Sequence, residues 1–243
     1  MNTLRIYALA WLAMLSAGCS RPQQVETIKV PKEFVEFGHK RIDDYYWMNN
    51  PRDSRVIPHL QEENAYTEAM LKHTEPLQKR FYDEMVARVE QKRESLPTKK
   101  NGYWYYTRYE EGQQYPLYCR KQGEMSSPEQ VFLDVPQLAA GHQIYMVRGY
   151  TISPGNRWMA FGIDTTGDRR CVLYVKDVTT GADAPVKIPN TSGQYQWGKD
   201  EKTLYYVVND STVRPYKVMK HTLGTSTNAD REIFIERDST FEV

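Results

Sequence analysis

The sequence predicts a mainly β chain: a helical N-terminal arm, then the first blades, about three, of a β-propeller. Near residue 100 the apolar period switches from helical spacing to two-residue alternation. Beyond that switch, short strands are punctuated by Gly, Pro, Asn and Asp turns. One turn-plus-strand unit also recurs. Ile152-Ser153-Pro154-Gly155-Asn156-Arg157-Trp158-Met159-Ala160-Phe161 is followed about 45 residues later by Gln196-Trp197-Gly198-Lys199-Asp200-Glu201-Lys202-Thr203-Leu204-Tyr205-Tyr206, the period of propeller blades. A β-sandwich also has short strands, but the repeat favours radially arranged sheets.

Residues 1–19 read as a targeting segment. Arg5 is a short basic region, and Ile6 to Leu15 is an apolar run of about ten residues, too short to span a bilayer. Ser16-Ala17-Gly18 before Cys19 look like a bacterial lipobox, although Ser16 stands where Leu is usual. Cys19 is therefore the expected lipidation site. An ordinary secretory signal cleaved nearby is the other reading. Both make the mature protein exported, periplasmic or anchored in the outer membrane of a bacterium. Replacing Cys19 by Ser should release the protein from membranes, and unchanged retention in the membrane fraction would overturn the lipobox reading.

Residues 20–93 form the expected arm. Ser20 to Thr27 is a polar tether, and Ile28 to Arg41 is extended, with Val30, Phe34, Val35 and Phe37 apolar between charges. Asp43-Asp44-Tyr45-Tyr46-Trp47 is an acidic and aromatic cluster, and Asn49-Asn50-Pro51 a turn. A helix is expected from Ser54, as N-cap, to about His73, with Pro58 near its first turn and Leu60, Asn64, Thr67 and Leu71 on one stripe. Thr74 is expected to cap a second helix, in which Leu77, Phe81, Met85 and Val89 repeat every four residues as a buried stripe.

Residues 94–243 form the expected partial propeller. Glu94 to Lys100 reads as a charged linker. Strands follow at Tyr103–Tyr109, Tyr115–Arg120 and Gln130–Asp134, then in the two repeats, with second strands Val172–Val175 and Tyr216–Met219. Glu232–Glu236 is a further strand, and Phe241–Val243 the start of another. Nothing there resembles a capping end, so the chain reads as truncated.

The 18 Tyr, 7 Phe and 5 Trp suit half-buried sheet faces. A net charge of +1 gives no electrostatic case for nucleic acid. The five histidines (His39, His59, His73, His142, His221) make no metal-ligand spacing. Cys119 and Cys171 read as two small buried hydrophobes, although an oxidising compartment would permit a disulfide.

No catalytic, cofactor or metal residue is assigned. Asp43 and Asp44 are neighbours in an extended segment and point to opposite faces, which favours a structural role. Asp164 to Asp168 is an acidic loop without EF-hand spacing, better read as a turn between strands. His221 with Ser211 or Asp210 lacks an elbow or oxyanion loop. Arg169 and Arg170 suit an interface or salt-bridge role. Tyr103 to Tyr109 reads as blade core.

Four stretches carry a family resemblance: Asp43-Asp44-Tyr45-Tyr46-Trp47; Glu63-Asn64-Ala65-Tyr66-Thr67-Glu68-Ala69; Asp164-Thr165-Thr166-Gly167-Asp168-Arg169; and Asn190-Thr191-Ser192-Gly193 with Val213-Arg214-Pro215-Tyr216-Lys217-Val218 and His221-Thr222-Leu223-Gly224-Thr225. In this order they resemble the oligopeptidase B branch of the prolyl oligopeptidase family. The resemblance implies an arm, a propeller gating an active site, and a C-terminal α/β-hydrolase domain holding a Ser-Asp-His triad. No Gly-x-Ser-x-Gly elbow occurs in the 243 residues, so no triad position carries over and the chain alone is expected to be inactive. The implied partners are the missing hydrolase domain and short basic peptides, with no cofactor. The other expectation is an exported propeller-type binding lipoprotein without peptidase activity.

Overall fold

The computed structural model describes residues 22–243; the lipobox reading at Cys19 lies outside them. The chain divides into two compact units, with the boundary in the sequence between Val89 and Glu90.

The first unit begins with a hairpin, β1 (Lys32–Glu36) and β2 (His39–Asp43). A 3-10 turn at Tyr46–Asn49 then buries Trp47, whose indole N–H donates to Ile28 O at 2.9 Å. Helix α1 (Val56–Leu71) follows. Ser54 does not cap it; Asp53 accepts the Arg55 N–H at 3.0 Å just ahead of the helix. The covered face of α1 runs through Val56, His59, Glu63 and Tyr66, about one position away from the expected Leu60–Leu71 stripe, and Leu60 is about half exposed.

Thr74 does not restart a helix. Its backbone is helical, its hydroxyl donates back to Leu71 O at 2.6 Å, and a 3-10 turn joins α1 to helix α2 (Glu75–Ala87) without a break. Such back-bonding satisfies the hydroxyl inside a helix, where the sequence pattern shows only a good cap residue. The α2 stripe exists, but Leu77, Phe81 and Met85 are 50–61% exposed in this structure. Its helical period was legible; its burial was not.

The second unit holds two antiparallel sheets, each with its strands in sequence order. The first sheet holds β3 (Thr98–Lys100), β4 (Tyr103–Arg108), β5 (Leu117–Gln122) and β6 (Glu129–Asp134) in sequence order. The expected linker at Glu94–Lys100 therefore contributes an inner strand, with Lys100 paired to Tyr103. A short helix, α3 (Val135–Leu138), is capped by Asp134, which accepts the Gln137 N–H at 2.9 Å.

A seven-stranded sheet follows: β7 (Met146–Ile152), β8 (Trp158–Asp164), β9 (Cys171–Asp177), β10 (Asp183–Trp197), β11 (Thr203–Asn209), β12 (Pro215–Thr222) and β13 (Arg231–Ile235). Strand β10 makes two blades of it. Its first half pairs with β9 as the outer strand of the second blade. Its second half pairs with β11 as the inner strand of the third. The ladder breaks between Ile188 and Thr191, where Asn190 has φ +59°. Asn tolerates that left-handed geometry better than most residues. Phe241–Val243 form no strand; Val243 N–H donates to Pro215 O at 2.9 Å.

Two apolar layers hold the three blades together. Met159, Phe161 and Ile163 of β8 pack with Tyr105, Phe132 and Leu133 of the first blade. Ala160, on the other face of β8, packs with Leu173, Val175, Trp197, Leu204 and Tyr206 toward the third. Both faces of β8 are thus buried, which explains its unbroken apolar run. Cys119 and Cys171 are both buried and unpaired, as read from sequence. Burial pushes the Cys119 thiol up to about 12 and that of Cys171 to about 11, so neither is a poised nucleophile.

Candidate functional site

Strand direction sorts the loops of the second unit onto two rims. One rim carries the turns after β8, β11 and β13, together with the bend at Asn190; the opposite rim carries the turns after β7, β9 and β12. The first rim is an arginine–aspartate belt. Asp164, fully buried, accepts N–H bonds from Thr166, Gly167 and Arg169 at 2.7–3.1 Å, and a guanidinium bond from Arg148 at 3.1 Å. Burial alone would raise its pKa; these donors outweigh burial and hold it at about 2.

Arg170 then reaches across the blade boundary to Asn190 Oδ1 and to the carbonyls of Asp210 and Ser211, the last at 2.8 Å. One blade further on, Arg214 pairs with Asp210 at 3.0 Å and donates to the carbonyls of Asp238 and Phe241. The same clamp therefore repeats with the blade period. Guanidinium forks suit this work because several carbonyls can be held at once.

A second device also recurs: Asp at one position accepts both the backbone N–H and the hydroxyl of the Thr two places on. It occurs at Asp164–Thr166, Asp177–Thr179, Asp210–Thr212 and Asp238–Thr240. These Asx turns close the blade corners. Among the described residues no cluster of His, Cys, Asp or Glu could hold an ion. The acidic loop Asp164–Asp168 forms the turn between β8 and β9, closed on the Asp164 carboxylate.

The remaining sequence candidates separate. His221 is not near Ser211 or Asp210. The β11–β12 register places His221 opposite Leu204 and Pro215 opposite Asn209, about five residues apart along the ladder, or roughly 17 Å. His221 instead bonds Asp230 at 2.7 Å, and Asp230 accepts the Tyr206 hydroxyl at 2.8 Å. This trio is sealed in the third blade, with His221 Nε2 buried and unpartnered among the described residues, so it offers no route to a substrate.

Asp43 and Asp44 work apart, Asp43 accepting the Tyr45 N–H and Asp44 O accepting the Val30 N–H. Arg169 is exposed with φ +66°, while Arg170 is the clamp just described. Tyr105 and Tyr106 are buried on opposite faces of β4, as blade core. Sequence reasoning missed Arg120, Arg157, Asp177 and Asp230. Only the recurring Asp-x-Thr spacing could have flagged any of them.

Residues 26–243 match the family described as the prolyl oligopeptidase N-terminal beta-propeller domain. The chain is 33% identical over 246 aligned residues to dipeptidyl aminopeptidase BI of Pseudoxanthomonas mexicana, covering 93% of this chain and 34% of that protein. It is 29% identical to Protease 2 of Moraxella lacunata, covering 88% and 32%. Among solved structures, oligopeptidase B from Leishmania major superposes with a TM-score of 0.82 at 27% identity, over 91% of this chain and 34% of that one. The chain spans about a third of the length of each. With its blades in sequence order and its arm ahead of them, it belongs to the prolyl oligopeptidase family, of which it carries the N-terminal β-propeller domain.

Proposed function

We propose that this chain is the arm and gating propeller of an exported serine-type oligopeptidase that cleaves short peptides after Arg or Lys. The observation that carries the proposal is the family match over residues 26–243 in a sequence holding no Gly-x-Ser-x-Gly elbow. On this reading the reacting serine, and the acyl-enzyme it forms, belong to a domain beyond these residues. The described residues fit the passive half of that division. Asp164, Asp177 and Asp210 are engaged in blade corners and clamps, and the buried His221 and Asp230 lack a partnering nucleophile. Cleavage after basic residues draws support from the likeness to oligopeptidase B. A second reading, release of dipeptides, draws support from the 33% identity to a dipeptidyl aminopeptidase.

The test is an assay of the purified chain on an arginine peptide ester, with a serine-reactive fluorophosphonate as probe. No turnover above buffer and no labelling are expected. Turnover that the fluorophosphonate blocks would overturn the proposal. In a protein carrying this chain and a hydrolase domain, kcat/KM should favour Arg over Ala before the scissile bond by on the order of 100-fold or more.

A further inference from the structure

Arg120 is 1% exposed, yet its polar partners among the described residues are all neutral. Its Nε donates to Gln130 Oε1 at 2.8 Å and its Nη1 to Asn156 O at 2.7 Å, and its guanidinium carbon sits 4.4 Å from the centre of the Tyr103 ring. A buried cation ordinarily has an anion beside it, because taking an unpaired charge out of water is costly. Arginine cannot escape by losing its proton. Of its five N–H donors, the two protein bonds use two.

The same residue lines a cleft of about 370 Å³ with Tyr103, Gln122, Ser127, Pro128 and Gln130. The cleft lies on the face of the first blade that packs against the second, at the rim carrying the β5–β6 turn. Arg120, Tyr105 and Tyr103 share that face, and the Tyr105 hydroxyl donates to Asn156 Oδ1 at 3.1 Å. The volume suits a small ligand. The walls supply a guanidinium fork, an aromatic face, a Ser hydroxyl and a Gln amide.

We propose that this cleft binds a carboxylate, held by the free guanidinium N–H groups of Arg120 with help from Ser127 and Gln122. The planar fork matches a carboxylate, and charge-assisted bonds in a desolvated niche are about twice as strong as neutral ones. The carboxylate could belong to a small organic acid or to the C-terminus of a peptide. Ligand binding here would also brace the junction of the first two blades, because Arg120 holds the Asn156 turn and Gln130 Nε2 donates to Val178 O.

The test follows the Arg120 Nε–Hε resonance of the 15N-labelled whole chain. It is titrated with sodium acetate, with glycylglycine and with amidated glycylglycine, against sodium chloride at equal ionic strength. A saturable shift with acetate and glycylglycine, at millimolar affinity and absent with the amide, is expected. Tighter binding of glycylglycine than acetate would assign the site to peptide C-termini; equal binding would assign it to small organic acids. Ser127→Ala and Gln122→Ala, neither of which holds the Asn156 turn, should each weaken binding about threefold and leave the unfolding midpoint in place. No saturable shift, or the same shift with chloride or the amide, would overturn the proposal and leave a water-filled structural niche. So would binding that both variants leave unchanged.

Discussion

Gly149→Ala is expected to be among the most damaging single-atom additions to the second unit. Gly149 lies in β7, the inner strand of the second blade, and a Cβ there would collide with the carbonyl oxygen of Gly193 in β10, the inner strand of the third. Both partners are backbone, so no rotamer change relieves the clash. Gly193 has no latitude either: its own φ is +91°, and a Cβ on it would come within 3.1 Å of Arg148 O. The inner strands must therefore separate, opening the layer formed by Trp197 and its neighbours. Overpacking of this kind costs about 3 kcal/mol or more.

Gly112→Ala is the control. Gly112 has open space around it and φ +74°, so it should lose only about 1 kcal/mol, the left-handed backbone penalty. Urea unfolding of both variants checks the pair. Equal midpoints for the two would mean that the inner strands do not meet at these glycines.

Asp164→Ala should cost about 2–3 kcal/mol, the range for losing an ionised acceptor of several hydrogen bonds. It strips the acceptor from the N–H groups of Thr166, Gly167 and Arg169 at once and leaves the solvent-accessible Arg148 without its carboxylate. Asp164→Asn keeps the shape and one oxygen, and should cost less.

The pair also has a pH signature. The folded pKa of Asp164 is about 2, below its ordinary 3.8. Its contribution is therefore complete above about pH 4 and is lost as pH falls from there toward 2, amounting to roughly 2 kcal/mol. Asp177 is held at about 2 in the same way: the Thr179 hydroxyl, Arg157 and neighbouring N–H groups outweigh its burial. Wild type will thus lose stability in that window through several groups. The informative quantity is the difference between wild type and Asp164→Asn, which should shrink as pH drops from 4 to 2. A difference that stays constant across the window would show that the Asp164 charge contributes nothing.

Much of the fold was legible because blades announce themselves locally. The Ile152–Phe161 and Gln196–Tyr206 units place a turn before an apolar strand, and both emerged as β7–β8 and β10–β11 corners. What stayed hidden depended on distance or on one extra residue. Strand β10 was not read as one element because a bulge near Asn190 breaks its alternation. Thr98–Lys100 looked like a linker because three exposed polar residues carry no strand pattern, and only pairing with β4 makes them one. Thr74 carried the chemistry of a cap, yet its hydroxyl turned back to Leu71. His221 and Asp210 lie close in sequence, yet the hairpin register puts them at opposite ends of the strands, a separation that spacing alone does not reveal.

The rim clamps were hidden for a similar reason. Arg170 and Arg214 act through backbone carbonyls of the next loop, which leave no trace in side-chain spacing. Arg120 was invisible because a lone arginine in a strand usually faces solvent.

On the proposed function, this propeller gates chemistry supplied by another domain. Reading the coding region beyond Val243 tests it most directly. An open frame carrying Gly-x-Ser-x-Gly, then Asp, then His, is the result expected. A frame that continues without that order of residues, or a stop codon directly after Val243, would contradict the claim and turn the question to what a three-bladed binding protein recognises.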